Sequence, residues 1–215
     1  LKIVTIEDPV EYSIEGVNQI QVNQKINLSF ATGLRSVLRH DPDVILVGEI
    51  RDRDTASISI QSALTGHLVL STLHTNDCAS TFGRLLDMGV EDYLISTCVI
   101  AVLAQRLLRK LCSCKKEHHM DEDTKIRMGL AKDCTIYRAS GCDTCGNTGY
   151  AGRVAVSELL IVDDDIRKSI INHESSNIVE QQAIKNGMKT FWSNGVDKMA
   201  KGITTLSELE RVLER

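Results

Sequence analysis

Three short apolar runs, Ile3–Ile6, Val44–Val47 and Leu68–Leu73, lack clean polar alternation, and this limits the fold more than any other feature of the chain. A strand with one wet face alternates polar and apolar residues, whereas a strand covered on both faces reads as nearly continuous hydrophobic sequence. Helical spacing lies between the runs. Phe30, Leu34, Val37 and Leu38 share one helical face, with Ser29 placed to cap it and Asp41-Pro42 to close it. Across residues 55–65, Ala56, Ile58 and Ile60 alternate as a strand would. Ala56, Ile60, Ala63 and Leu64 fit a helix better, capped by Asp54 or Thr55 and ended by Gly66. A further helix is predicted from about Asp77 to Met88, stopping at Gly89. Strands alternating with helices in this way predict an α/β fold with a parallel sheet and crossover helices.

Beyond this region the texture changes twice. Residues 93–111 predict one longer helix with an apolar face through Ile100, Leu103, Leu107 and Leu111. Its basic end, Arg106, Arg109 and Lys110, would lie where the helix dipole favours cations. From Cys112 to about Val162 come two cysteine clusters, a polar middle and glycine punctuation, with Gly149, Gly152, Val154 and Val156 marking a turn into a strand. The remainder reads as helices, one opened by a capping box at Thr205 and Glu208. Three parts result: 1–111, 112–162 and 163–215. The chain has 215 residues, 42% of them hydrophobic, and a net charge of −4. That is a globular composition, and no run reaches the ~20 apolar residues a membrane-spanning helix needs. The basic run Arg106 to Lys116 could meet anionic lipid or nucleic acid. With Asp121, Glu122 and Asp123 close behind and a negative net charge, a solvated helix end is the plainer reading, and no nucleic-acid partner is expected. The first run begins almost at Leu1 with no initiator Met, so the chain reads as part of something longer.

In parallel α/β sheets, ligands sit at the carboxyl ends of the strands. Three runs end there in polar groups: Glu7, Asp8 and Glu11 after the first, Glu49, Arg51 and Asp52 after the second, and Thr72, His74, Thr75 and Asp77 after the third. Four apolar residues followed by an acid form the pattern of a Walker B strand, whose carboxylate helps hold Mg²⁺ or orients an attacking water. Plainer readings exist for the neighbours. His67 beside Gly66 could cap a turn, His74 could be a satisfied core imidazole, and Arg51 and Arg53 could be surface charges.

Four of the 7 cysteines form two close pairs, Cys112-x-Cys114 and Cys142-x-x-Cys145. Nothing suggests an oxidising compartment, and four thiolates in two pairs suit tetrahedral Zn²⁺. The short first pair leaves open whether Cys114 ligates or whether His118, His119 or Cys134 takes its place. Cys78 and Cys98 suit small buried thiols.

TIEDPVEY, LRHDPDVILVGEIRD and TGHLVLSTLHTND resemble the Asp box, Walker B segment and His box of the type II secretion and type IV pilus assembly ATPases. These are RecA-like hexameric motors of the bacterial secretion ATPase superfamily. The resemblance runs on through QRLLRKLC, GCDTCGNTGYAGR and KGITTLSELERVL, nearly the whole chain. It implies a truncated RecA-like parallel-sheet core, a small zinc-binding element and a C-terminal helical region. By position it makes Glu49 the Walker B glutamate and Glu7, Asp8 and Glu11 the Asp-box acids around a Mg²⁺–ATP. His67, His74 and Arg51 would sense the nucleotide. Cys112, Cys114, Cys142 and Cys145 would hold structural Zn²⁺, which favours an assembly motor over a retraction motor. The implied partners are a homo-hexamer, an inner-membrane platform protein and a cytoplasmic anchoring subunit, with the protein cytoplasmic and peripheral at the inner membrane.

One element of the family pattern is missing. A phosphate cradle needs G-x-x-x-x-G-K-[ST], and no such run occurs in the sequence. In the family it precedes the Asp box. The expectation is therefore that these residues alone are mostly monomeric, bind ATP weakly or not at all, and are inactive. A non-enzymatic zinc-bearing interaction module is the alternative.

Overall fold

A computed structural model describes residues 1–213. The chain divides into two compact units, residues 1–102 with 161–183, and residues 103–160 with 184–215.

The first unit is built on a four-stranded parallel sheet: β1 (Ile3–Glu7), β2 (Val17–Gln21), β3 (Val44–Val47) and β4 (Leu68–Ser71), in the order β2-β1-β3-β4. Ile6 pairs with Val47 and Val47 with Ser71, so β1, β3 and β4 end side by side. Ile6, Ile45 and Val47 are fully buried, as their unalternating runs predict. The third run departs from that expectation: β4 is an edge strand of this sheet, and its Leu68 and Leu70 are exposed. Helix α1 (Phe30–Val37) follows β2 and buries Leu34 and Val37. Ser29 caps it reciprocally: its hydroxyl accepts from Thr32 N while its own N–H donates to Thr32 Oγ1. Helix α2 (Arg53–Leu64) settles the ambiguous segment as a helix, but its cap is Asp52 rather than Asp54 or Thr55. Asp52 Oδ1 accepts from Thr55 N at 2.8 Å. Helices α3 (Ser80–Asp87) and α4 (Asp92–Cys98) come next, and Asp77 lies in the turn before α3, where Oδ1 accepts from Ser80 N.

The long helix predicted over residues 93–111 does not form. α4 stops at Cys98, Val99 is already extended, and Ala101–Leu111 is a strand, β5. Ile100, Leu103 and Leu107, expected to be buried, are 64%, 62% and 44% exposed, whereas Leu108 is fully buried. The i, i+3, i+7 spacing was shared by chance with a strand whose partner lies far away in sequence. That partner is β8 (Tyr150–Ile161), which pairs with β5. Arg106, Arg109 and Lys110 therefore sit on a strand and gain nothing from a helix dipole.

The second unit holds most of this pair, the short antiparallel ribbon β6 (Lys116–His118) and β7 (Ile136–Arg138), and helices α5 (Glu122–Arg127), α8 (Phe191–Ala200) and α9 (Leu206–Leu213). Its core gathers Leu108, Met120, Ile136, Val156, Phe191, Val196, Met199 and Leu209. Two helices, α6 (Asp164–Ile171) and α7 (Ser176–Lys185), precede α8 and belong mostly to the first unit. Only half of the expected capping box opens α9. Thr205 Oγ1 accepts from Glu208 N at 3.2 Å, but the Glu208 carboxylate is committed to Arg109 and Arg211. No helix among the described residues is long and apolar enough to cross a membrane.

Candidate functional sites

The carboxyl edge of the sheet gathers part of the expected set. Glu7 ends β1, and Glu49 lies two residues beyond β3. Between β3 and Glu49 stands Gly48, whose N–H donates to Ile6 O at 2.7 Å. A Cβ there would come within 3.1 Å of Ile6 O and 3.3 Å of Glu7 Cα, so a larger residue would have to push the chain away from β1. Thr72 Oγ1 donates to Gly48 O at 2.7 Å, and Ile50 N donates to Thr72 O at 3.0 Å, stitching the segment to the end of β4.

Glu49 is thereby fixed and buried, with 9% of its surface exposed. Arg51 Nε lies 2.5 Å from its Oε2, and His74 Nε2 lies 3.2 Å from the same oxygen. The Arg51 hydrogen bond, aided by His74 and opposed by burial, holds the Glu49 carboxyl below the usual carboxylate range, so it is ionised at neutral pH. Glu7 Oε1 accepts from Thr5 Oγ1 at 2.5 Å and from Gln19 Nε2 at 2.9 Å. Gln19 is a residue that sequence reasoning missed. It also donates to Tyr12 O and accepts from Ile14 N, so one side chain on β2 fastens the loop after β1. Its only signal is its register opposite Thr5. Asp8 and Glu11 lie on that loop and are exposed.

The two histidines part company. His74 follows β4 and reaches Glu49. It also lines a groove of about 610 Å³ with Asn76, Ser80, Arg84 and His173. His67 precedes β4, and its Nδ1 lies 2.9 Å from Ser62 O and 3.1 Å from Thr65 Oγ1, in the turn that ends α2. Four strand residues at ~3.3 Å each put roughly 13 Å of β4 between the two positions. Within this chain His67 is not brought to Glu49. Arg53 is likewise directed elsewhere: its side chain lies along Gly89, with Nε 3.1 Å from where a Cβ would stand.

The cysteine site is assembled from two short segments of the second unit. Cys112, Cys114, Cys142 and Cys145 place their sulfurs within 4.8 Å of one another. Separations of 3.9 Å for Cys112–Cys142, 4.0 Å for Cys114–Cys145 and 3.7 Å for Cys142–Cys145 exceed any disulfide. They match the ~3.8 Å edge of a tetrahedron whose centre lies ~2.3 Å from each corner, the Zn–S distance. Gly149 ties the halves together: its N–H donates to Cys145 Sγ at 3.2 Å and its carbonyl accepts from Cys112 N at 3.0 Å. It is held at φ +77° with Ala139 Cβ 2.5 Å from a would-be Cβ, a position only glycine can fill.

Burial opposes ionisation of Cys145, but N–H donors from Cys142 and Gly149 outweigh it and bring the thiol down to about 6. Burial, with Cys142 beside it, pushes Cys114 up to about 11. A divalent cation held among the four sulfurs would deprotonate them all. His118, His119 and Cys134 are outside the cluster among the described residues, and Cys134 Sγ instead points to Ala200 O at 3.8 Å.

Comparison with known proteins follows the same lines. Residues 1–211 match the Type II/IV secretion system protein family. The chain is 51% identical over 216 residues to the type IV pilus assembly ATPase PilB of Thermus thermophilus, covering 98% of this chain and 24% of that protein. It is 47% identical over 211 residues to type II secretion system protein E of Dickeya dadantii, covering 98% of this chain and 42% of that one. Among solved structures, the pilus retraction motor PilT with bound ADP superposes with a TM-score of 0.71 at 30% identity, over 98% of this chain and 52% of the other. The chain thus spans less than half the length of both sequence relatives.

Proposed function

Because the chain belongs to the Type II/IV secretion system protein family, we propose that it is the hydrolytic edge and metal-bearing part of a motor ATPase that powers type II secretion or type IV pilus assembly. The observation that carries this reading is the fixed, buried, ionised Glu49 at the carboxyl edge, beside Glu7 and facing Arg51 and His74. Two carboxylates at the ends of adjacent strands are oxygen donors of the kind a hard cation takes, so Mg²⁺–ATP fits the edge. Mg²⁺, when bound, would offset charge on the β- and γ-phosphates. Glu49 accepts a proton from a water as that water's oxygen bonds to the γ-phosphorus and the bond to the β–γ bridging oxygen breaks, giving ADP and phosphate. Glu7, with Asp8 and Glu11 on the loop that Gln19 fastens, would help hold the metal. Arg51 and His74, which contact Glu49, would meet the phosphates. His67 shapes the turn into β4.

The phosphate-gripping G-x-x-x-x-G-K-[ST] run is absent from these 215 residues. In this reading residues outside them supply it, and these residues alone bind nucleotide weakly. Zn²⁺ on the four cysteines is structural, since an all-thiolate set leaves no open position. The working assembly is a homo-hexamer on the cytoplasmic side of the inner membrane, acting on a platform protein and held by an anchoring subunit. The decisive experiment is ATP turnover by the full-length protein carrying Glu49→Gln. Turnover should fall by about 10²–10⁴, the usual worth of a general base, while a non-hydrolysable analogue still binds. Wild-type turnover in that variant would end the assignment.

A further inference from the structure

The contact between Arg51 and Glu49 is unequal. Glu49 is buried on a segment braced by Gly48 and Thr72, whereas the Arg51 side chain is 65% exposed and meets it with Nε 2.5 Å from Oε2. The backbone beside Arg51 is fixed, because the next residue, Asp52, caps α2. What can move is the guanidinium. A carboxylate held by a guanidinium is a poor proton acceptor, since taking the proton means giving up the ion pair. Two groups around Glu49 are thus set against catalysis, since Arg51 and His74 share Oε2, while Glu7 on the neighbouring strand end carries the same sign of charge and works the other way. Arginine forms stronger, two-pronged hydrogen bonds with phosphate than a single-nitrogen contact with a carboxylate.

We propose that Arg51 is a latch: it holds Glu49 when no nucleotide is bound and is drawn off to a phosphate oxygen of the arriving nucleotide, which leaves Glu49 to the attacking water. This rests on the reading of Glu49 as the hydrolytic base. Arg51 is then a positioning residue whose two partners compete, and hydrolysis is withheld until phosphate wins. Arg53 cannot substitute, because its side chain lies along Gly89.

Competition leaves a thermodynamic signature that needs no turnover. Calorimetric binding of Mg²⁺ and β,γ-imido-ATP to the full-length protein is measured for wild type, Arg51→Met, Glu49→Gln and the double variant. Arg51→Met should bind about tenfold more weakly, the worth of one charge-assisted hydrogen bond. Glu49→Gln should bind several-fold more tightly, because Arg51 no longer has to leave a carboxylate. In the Arg51→Met background the Glu49→Gln gain should vanish. An equal gain in both backgrounds would mean simple repulsion between Glu49 and the phosphates, and would overturn the latch. So would undiminished binding by Arg51→Met. Arg51→Lys, which keeps the charge but loses the fork, should recover only part of the affinity, and matching melting curves establish that each variant folds. Turnover by Glu49→Gln decides the base assignment separately, so the two ideas fail in different experiments.

Discussion

Glu208 in the second unit and Glu49 in the first are both buried carboxylates gripped by arginine, but their oxygens are used differently. Glu208 is fully buried: Oε1 accepts from Arg109 N and Arg211 Nη2, and Oε2 accepts from Arg109 Nε, Arg109 Nη2 and Arg211 Nε, all between 2.6 and 2.9 Å. Arg109 is further seated 4.2 Å above the Tyr150 ring, whose hydroxyl bonds Thr205 at 2.8 Å. Glu49 has both its contacts on Oε2. A carboxylate saturated on both oxygens binds α9 to β5 and can do little else. One held by a single oxygen keeps capacity for chemistry. In the proposed zinc reading the cysteine centre belongs with Glu208: its four sulfurs lie within 4.8 Å of one another and would leave a metal no open position.

The largest effect tests the closed side of this comparison. Stripping the metal with a chelator, or replacing one ligand by Cys142→Ser, should abolish the thermal transition of the second unit, because structural zinc sites tie metal binding directly to folding. Elemental analysis of reduced protein should find one zinc per chain before treatment. Substoichiometric metal in chelator-free protein would remove zinc from the account.

Next in size is the contrast between the two glutamates. Glu208→Gln leaves two arginines without a buried counter-charge and should cost about 3 kcal/mol, the low end for breaking a buried pair. At this chain length that lowers Tm by roughly 6–12 °C. Glu49→Gln should change stability by less than about 1 kcal/mol while removing turnover. Similar Tm losses in the two variants would break the distinction.

Acid sharpens it further. Burial raises the Glu208 pKa, but the hydrogen bonds from Arg211 and Arg109 outweigh it and bring the group down to about 2, against an ordinary value of 4.5. A group whose folded pKa is depressed stabilises the fold above its unfolded pKa and loses that contribution as pH falls toward the folded value. Wild-type stability should therefore decline from about pH 4.5 toward pH 2, and Glu208→Gln should flatten that part of the curve in urea titrations. An unchanged slope would mean that other carboxylates govern the acid limb.

Much of this was legible in the sequence where the signal is local. Unalternating runs such as VILV report a covered parallel strand, and the cysteine pairs report a thiol cluster that could hold a metal because each pair is only a few residues long. Long-range partners left no such trace. Arg109 and Glu208 are 99 residues apart, and Glu208 reads more simply as a capping-box residue after Thr205. The helix predicted through Leu103 and Leu107 failed for the same reason: only β8, far along the chain, makes that segment a strand. His67 and His74 read as one motif, yet the strand between them carries them to opposite ends of the sheet.

Asp52 gives the smallest effect and applies the same rule within the carboxyl edge itself. It stands three residues from Glu49 and one from Arg51, and in the sequence it is one more strand-end acid. In the structure Oδ1 accepts from Thr55 N at 2.8 Å and Oδ2 from Thr55 Oγ1 at 3.1 Å, so both oxygens are taken by the first turn of α2. By the reasoning applied to Glu208, such a carboxylate serves the fold. Asp52→Ala should then cost about 1 kcal/mol, typical of a lost N-cap, or roughly 2–4 °C in Tm. Asp52→Asn, which still presents an oxygen to Thr55 N, should cost only a few tenths of that. If the two substitutions were equally costly, the negative charge at the N-terminus of α2, rather than the capping hydrogen bond, would be what Asp52 contributes to the fold.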